Sequence, residues 1–425
     1  MIGQLGHIMV SVADSIMVGQ LGTLALAAVA LASSVYVVFL VFGIGVAYGI
    51  TPLVGKSAGK GFIHVQGVLL RHAFWINLLV GIGLFLLMLL MLPVMDYMGQ
   101  NPAIVPPARS YFVIVASSVV PLMIYLSFKQ FAEGLEDTRI AMIISIACNL
   151  INIGLNYLLI YGAWGFPEMG IVGAAWATLI ARILMMVWIW LYVRRAKKFK
   201  IYALRIRFVR FRRKIAYRLL QIGLPSGLQY IFEVGAFSLA AVFAGMISAT
   251  ALAAHQIAIN IASVSYMAVT GIGAAATVRV SNQRGKGGKQ NLEMTSKSIF
   301  TMAFIWMVFC GLIILGFRNV LPEFYSDDPT VIALAKVMLL IVVLFQISDG
   351  IQAVALGALR GFTDVRIPTL ITFCAYWLIT LPLAYGLSQH TTLGAMGIWY
   401  ALAGGLTLSA VLLLRRYYRL QRAFL

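Results

Sequence analysis

The sequence predicts an all-α polytopic membrane protein with twelve transmembrane helices. They form two six-helix lobes related by a pseudo-two-fold axis normal to the membrane. Three observations carry this reading: the composition, the placement of basic residues, and an internal repeat. Of the 425 residues, 62% are hydrophobic and only 11% are charged, and the mean hydropathy is +0.95. A soluble domain could not hide that much apolar surface. Nothing resembles the alternating pattern of a membrane barrel.

An apolar run of about 20 residues can cross ~30 Å of hydrocarbon. Such runs cover 1–19, 25–54, 68–92, 104–131, 138–161 and 168–193 in the first half. In the second half they cover 217–247, 252–281, 295–319, 330–359, 365–388 and 394–418. Polar or Gly/Pro-containing breaks separate them, such as Gly99-Gln100-Asn101-Pro102 and Asp327-Asp328-Pro329. The first span carries no basic n-region and no small-residue cleavage site, so it reads as an uncleaved insertion signal. The stretch 194–218 holds twelve basic residues near the middle of the chain. This gives an N-terminal lobe over 1–193, a basic cytoplasmic linker over 194–216 and a C-terminal lobe over 217–425.

The net charge of +19 would suit a nucleic acid, but its placement does not. With a cytoplasmic N-terminus, 28 of the 32 Lys and Arg residues fall in internal loops or the C-terminal tail. That is the positive-inside bias. It predicts cytoplasmic termini, a lipid bilayer as surroundings, and no nucleic-acid partner. The exceptions are Arg109, Arg182, Arg318 and Lys336. Arg109 and Lys336 are placed to snorkel to the outer boundary. Arg182 lies well inside the sixth span, where an intramembrane pair or a water-lined face is the open reading.

The repeat starts from both sides of the basic stretch. At an offset of 226, Ala25-Leu26-Ala27-Ala28 matches Ala251-Leu252-Ala253-Ala254, Gly45 matches Gly271, Thr51 matches Thr277, and Gly59-Lys60-Gly61 matches Gly285-Lys286-Gly287. At 227, Asn101-Pro102 faces Asp328-Pro329, Arg109 faces Lys336, and Gly134, Asp137 and Arg139 face Gly361, Asp364 and Arg366. At 224, Gly170 and Gly173 face Gly394 and Gly397. Parallel six-helix repeats place a substrate site between two halves.

Of thirteen acidic residues, only Asp14, Glu233 and Asp349 lie well inside hydrophobic spans. A carboxylate at bilayer depth costs roughly 2.5–3.5 kcal/mol on insertion scales, so one is retained where it handles a cation or a proton, or where it makes a polar contact between helices. Their repeat partners are Ala240, His7 and Leu122, so the lobes carry different polar sites. Cys148, Cys310 and Cys374 sit singly in apolar spans with neither disulfide nor metal-ligand spacing. The five histidines form no metal cluster. Gly55-Lys56-Ser57 lacks the leading glycine of a phosphate loop, since position 50 is Ile.

Four stretches point to a family: Val12-Ala13-Asp14-Ser15-Ile16-Met17-Val18-Gly19, Asn152-Ile153-Gly154-Leu155-Asn156-Tyr157, Phe232-Glu233-Val234-Gly235-Ala236-Phe237, and Ser348-Asp349-Gly350-Ile351-Gln352 running on to Leu359-Arg360-Gly361. With them the chain resembles the multidrug and toxic compound extrusion (MATE) transporters, and within these the NorM branch. The resemblance implies a V-shaped pair of lobes that exports small organic cations in exchange for Na⁺ or H⁺. It implies a transporter acting as a monomer, not an enzyme, with no cofactor beyond the transported ion. Carried over by position, Asp14, Asn152, Asn156 and Thr178 form an N-lobe cation, proton or substrate site. Glu233 and Asp349 hold the coupling cation in the C-lobe, with Phe237 and Tyr266 beside them. Two departures stand out. Phe345 occupies a position where the family often has tyrosine, and a segment with an early proline is expected ahead of Met1.

The residue chemistry agrees. A monovalent cation wants oxygen ligands, and an ionised carboxylate supplies them and neutralises the charge. Glu233 and Phe237 share one helix face, as do Asn152 and Asn156. The two asparagines offer carbonyl ligands to a cation and amide donors to Asp14, although interhelical hydrogen bonding alone would also account for them. For Phe237 and Tyr266 core packing is the plainer reading, against an aromatic face for a lipophilic cation. A carboxylate that can be protonated, Na⁺-bound or drug-bound couples the exchange, with Glu233 and Asp349 carrying the coupling ion and Asp14 governing drug occupancy or proton linkage. A flippase of a lipid-linked precursor is the alternative, but an anionic diphosphate calls for clustered basic residues at depth. A membrane transferase would need clustered acids near one surface, and a channel a repeated filter loop.

Overall fold

In hydrocarbon, backbone N–H and C=O groups must be paired within the segment, so a long apolar run becomes a helix. The computed structural model describes residue 14 and residues 16–97, 102–202 and 212–424. Most of the predicted first span, including His7, and residues 203–211 of the linker lie outside the described residues. Helical residues 14 and 16–19 belong to α1. The remaining spans are α2 (Thr23–Gly59), α3 (Ile63–Leu90), α4 (Val105–Gly134), α5 (Arg139–Tyr161), α6 (Gly170–Arg195), α7 (Arg213–Ile247), α8 (Ala249–Lys286), α9 (Lys289–Phe317), α10 (Pro329–Gly361), α11 (Arg366–Gln389) and α12 (Ala395–Phe424). These eleven helices are long and apolar enough to cross a membrane, and they coincide with the second to twelfth predicted spans. The fold is the twelve-helix, two-lobe membrane architecture.

Local chemistry sets the ends and breaks. Ser248 caps α8 by accepting from the Ala251 N–H at 3.0 Å. Asp328 caps α10 by accepting from the Thr330 N–H at 2.8 Å, with Pro329 in the first turn. The predicted Asp-Asp-Pro break is therefore a helix start. α4 is interrupted at Ser118, whose N–H bonds Val115 O at 3.1 Å. Pro121, lacking an N–H, follows within one turn. In α11 the stretch Cys374–Thr380 is π-helical, with Pro382 just beyond it.

The chain divides into two compact units inside α7, one ending at Gly227 and the other starting at Leu228. In the first unit α4 packs against α2, α3 and α6, around Phe112, Tyr125, Phe128 and Phe131. The opening turns of α7 belong to this unit because small residues let the backbones meet. A Cβ on Gly45 would fall 2.5 Å from Gly227 Cα, and one on Gly223 would fall 2.6 Å from Val46 O. In the second unit α10 packs against α8, α9 and α12, around Phe345, Tyr376, Trp399 and Tyr417.

Each unit repeats the other's internal contacts at the positions the sequence pairs. A Cβ on Gly134 would crowd Val54 and Thr51 O, and one on Gly361 would crowd Val280 and Thr277 O. Thr51 Oγ1 reaches Gln130 O at 3.4 Å and Gln130 Oε1 at 2.7 Å, while Thr277 Oγ1 reaches Gly357 O at 2.8 Å. Arg109 pairs with Asp96, and Lys336 pairs with Glu323 at 3.1 Å. These basic residues are ion-paired, where the sequence suggested only snorkelling. Asp137 takes Lys198, and Asp364 takes Arg416 at 2.7 Å.

Candidate functional site

The second unit gathers its acids where α7, α8, α10 and α11 meet. Glu233 comes from α7 and Asp349 from α10, and both are buried. Each carboxylate lies within the other's electrostatic range. The Tyr266 hydroxyl of α8 donates to Glu233 Oε1. On the next turn of α10 after Asp349, Gln352 Nε2 donates to the Tyr376 hydroxyl at 2.7 Å. Asp349 Oδ1 and Gln352 Oε1 are buried and have no hydrogen-bond partner among the described residues. Two acids, two phenols and an amide oxygen thus converge, with acceptor atoms uncommitted. An oxygen-ligated monovalent cation fits this donor set.

An aromatic wall closes the site. Phe237 meets Phe345 edge-on at 6.1 Å between ring centres and Tyr376 at 6.2 Å. Phe345 in turn packs on Trp399 at 5.6 Å. Phe345 has no hydroxyl, and Tyr376, from the π-helical stretch, brings one into electrostatic range of both acids. Such local widening recurs at functional sites. Trp377, from the same stretch, donates to Phe232 O at 3.1 Å and ties α11 to the turn that carries Glu233. Arg360, almost fully buried, lies in electrostatic range of Glu233 and 5.9 Å from the Tyr230 ring.

In the first unit, Asn156 Nδ2 of α5 donates to Asp14 Oδ1 and lies 3.5 Å from Asn152 Oδ1. Both asparagines are buried, and Asn156 Oδ1 has no partner among the described residues. The fourth predicted member, Thr178, donates to Ala174 O of its own helix at 3.1 Å and makes no hydrogen bond to Asp14. Tyr161 holds the end of α1 on α5, donating to Met17 O at 2.8 Å and meeting Gln20 Oε1 at 2.7 Å.

Arg182 belongs to this cluster. It donates to the hydroxyls of Tyr36 and of Ser118, the latter at 2.7 Å, and its guanidinium lies 5.4 Å from the Tyr36 ring centre. Asp14 and Tyr111 are in its electrostatic range. Nothing in the sequence joins Arg182 to Asp14, because they are 168 positions apart and no repeat or motif links them. Tyr376 was equally silent among the apolar residues of its span. Gln352 had a signal, since it sits three residues after Asp349 and hence on the same helix face.

The profile of the MatE family matches residues 1–158 and 225–386. A probable multidrug resistance protein NorM of Mesorhizobium japonicum is 34% identical, over 98% of this chain and 91% of the relative. The multidrug resistance protein NorM of Aliivibrio fischeri is 31% identical, over 96% of this chain and 90% of the relative. Among solved structures, the outward-facing conformation of a multidrug resistance MATE family transporter of the MOP superfamily superposes with a TM-score of 0.92 at 19% identity. It covers all of this chain and 94% of that one. A eukaryotic MATE transporter superposes with a TM-score of 0.89 at 22% identity, over all of this chain and 95% of that one.

Proposed function

The chain belongs to the MatE family of multidrug and toxic compound extrusion proteins, NorM-like, and from that premise we propose that it is a cation-coupled multidrug antiporter. It exports small organic cations against inward Na⁺ or H⁺ by alternating access. It works as a transporter and not as an enzyme, as a monomer in the bacterial inner membrane, with both termini cytoplasmic. The observation that carries this reading is the buried pairing of Glu233 with Asp349 beside Tyr266, Tyr376 and Gln352.

Two buried carboxylates in electrostatic range, with Arg360 offsetting one of them, leave a negative charge that is costly in a low-dielectric setting unless a further positive charge joins it. A Na⁺ or proton supplies that charge, and the uncommitted Asp349 and Gln352 oxygens suit the metal ion. Arriving ion and departing organic cation then draw on one pool of negative charge, which makes exchange obligatory. The membrane potential adds about 2.3 kcal/mol per charge moved inward per 100 mV. Asp14, held by Asn156, serves drug occupancy or proton linkage in the other unit.

Ethidium efflux from preloaded whole cells, with Na⁺ and pH gradients imposed separately, tests the proposal. Efflux should accelerate with at least one gradient, and Glu233→Gln should abolish any dependence on the Na⁺ gradient. Efflux indifferent to both gradients would reject the antiporter reading.

A further inference from the structure

The two acid clusters differ in formal charge. The second unit's cluster holds Glu233 and Asp349 against Arg360, leaving one excess negative charge. Among the described residues, the first unit's cluster holds Asp14 against Arg182, leaving none. Its other titratable neighbours among the described residues are the phenols Tyr36 and Tyr111. We propose that Arg182 is the ion-selectivity residue of the first unit, a fixed internal cation that keeps Na⁺ out of the Asp14 site and confines Na⁺ binding to the Glu233–Asp349 cluster. This rests on the preceding reading that the latter cluster holds the coupling cation.

The geometry supports a fixed charge. Arg182 does not collapse onto Asp14, because its guanidinium donates to Tyr36 and Ser118 and stacks near the Tyr36 ring. Tyr36 and Ser118 are themselves buried. Ser118 stands at the interruption of α4, where its own hydroxyl bonds Val115 O at 2.5 Å. The arginine is thus anchored from two helices, α2 and α4, at a stand-off from the carboxylate. Without Arg182, Asp14 with the carbonyl oxygens of Asn152 and Asn156 would form an anionic oxygen cage resembling a Na⁺ site. With it, the cage is neutral and a second cation meets repulsion in a medium that screens charge poorly. An organic cation meets the same repulsion, which directs Asp14 toward proton traffic.

Equilibrium ²²Na⁺ binding to the purified, full-length transporter at mildly alkaline pH tests this by gain of function. Arg182→Gln should double Na⁺ capacity relative to wild type, and adding Asp14→Asn should remove the gain. Arg182→Lys, which keeps the charge, should bind as wild type does. In a Glu233→Gln background that has lost Na⁺ binding, Arg182→Gln should restore one Asp14-dependent site. A merely structural arginine would not create a new ion site. Arg182→Met provides a second neutral variant of similar length, so that one misfolded protein does not decide the outcome. Unchanged capacity in both neutral variants would overturn the inference. Retention of wild-type capacity in Glu233→Gln alone would instead overturn the assignment of the coupling site, and the two failures are read from different proteins.

Discussion

Single residues decide the chemistry, and their surroundings assign their roles. Tyr376 is the clearest case. Its hydroxyl is held by Gln352 in electrostatic range of two acids, so Tyr376→Phe removes an oxygen while preserving the ring that packs on Phe237. We expect a several-fold weaker Na⁺ affinity with a melting temperature close to wild type, measured by ²²Na⁺ binding and thermal unfolding of the purified protein. An unchanged affinity would remove Tyr376 from the ligand set. Asp328 gives a pH-dependent case outside the membrane. The Thr330 hydroxyl and N–H hold its carboxyl below the usual carboxylate range. A depressed value means that the stabilisation is fully present above the unfolded-state pKa and fades as pH falls through the folded one. Asp328→Ala should therefore lower the melting temperature at neutral pH, with the deficit shrinking in acid.

Helices in this chain meet through glycine, and that sets how each may be altered. Ala is ordinarily the better helix former by about 1 kcal/mol. At Gly357, however, a Cβ would lie 2.1 Å from Gly273 O, backbone against backbone between α10 and α8. The clash outweighs the propensity, and Gly357→Ala should cost about 1–3 kcal/mol as an overpacked contact. Gly404 in α12 has nothing within 4 Å of its would-be Cβ, so Gly404→Ala should stabilise by about 0.4–1 kcal/mol. Thermal unfolding in detergent should shift in opposite directions for the two. Equal signs would show that contact, as opposed to propensity, is not what separates these positions. The outer ion pairs behave differently. Arg109–Asp96 and Lys336–Glu323 are substantially exposed, and such pairs are worth about 0–1 kcal/mol.

At the scale of the whole molecule, the duplication supplies two scaffolds and the polar residues break their symmetry. α4 and α10 occupy matching central places in their own units, with matching Thr–Gly contacts. Yet one scaffold carries Asp14 with Arg182, and the other carries Glu233 and Asp349 with Arg360. If ion entry at the second cluster drives the cycle with net inward charge, efflux in proteoliposomes should speed up when a K⁺ diffusion potential makes the inward ion's destination negative. Each 100 mV adds about 2.3 kcal/mol per net charge. A flat response across imposed potentials would mean that exchange is electroneutral.

Much of this was legible in the chain alone, for a definite reason. Backbone pairing in hydrocarbon turns each apolar run into a helix whatever its neighbours do, so span positions, helix count and the repeat follow from local pattern. The energetic rarity of carboxylates at depth singled out Asp14, Glu233 and Asp349 in the same way. Asn152 and Asn156 came from the family resemblance, with helical spacing placing them on one face, and the structure brings Asn156 to Asp14. Which groups from distant helices face those acids depends on how helices rotate and approach, and no local pattern encodes that. Only the tertiary structure could place Tyr376 by way of a π-helical stretch, turn the Thr178 hydroxyl onto its own backbone, and carry Arg182 from α6 to the Asp14 cluster.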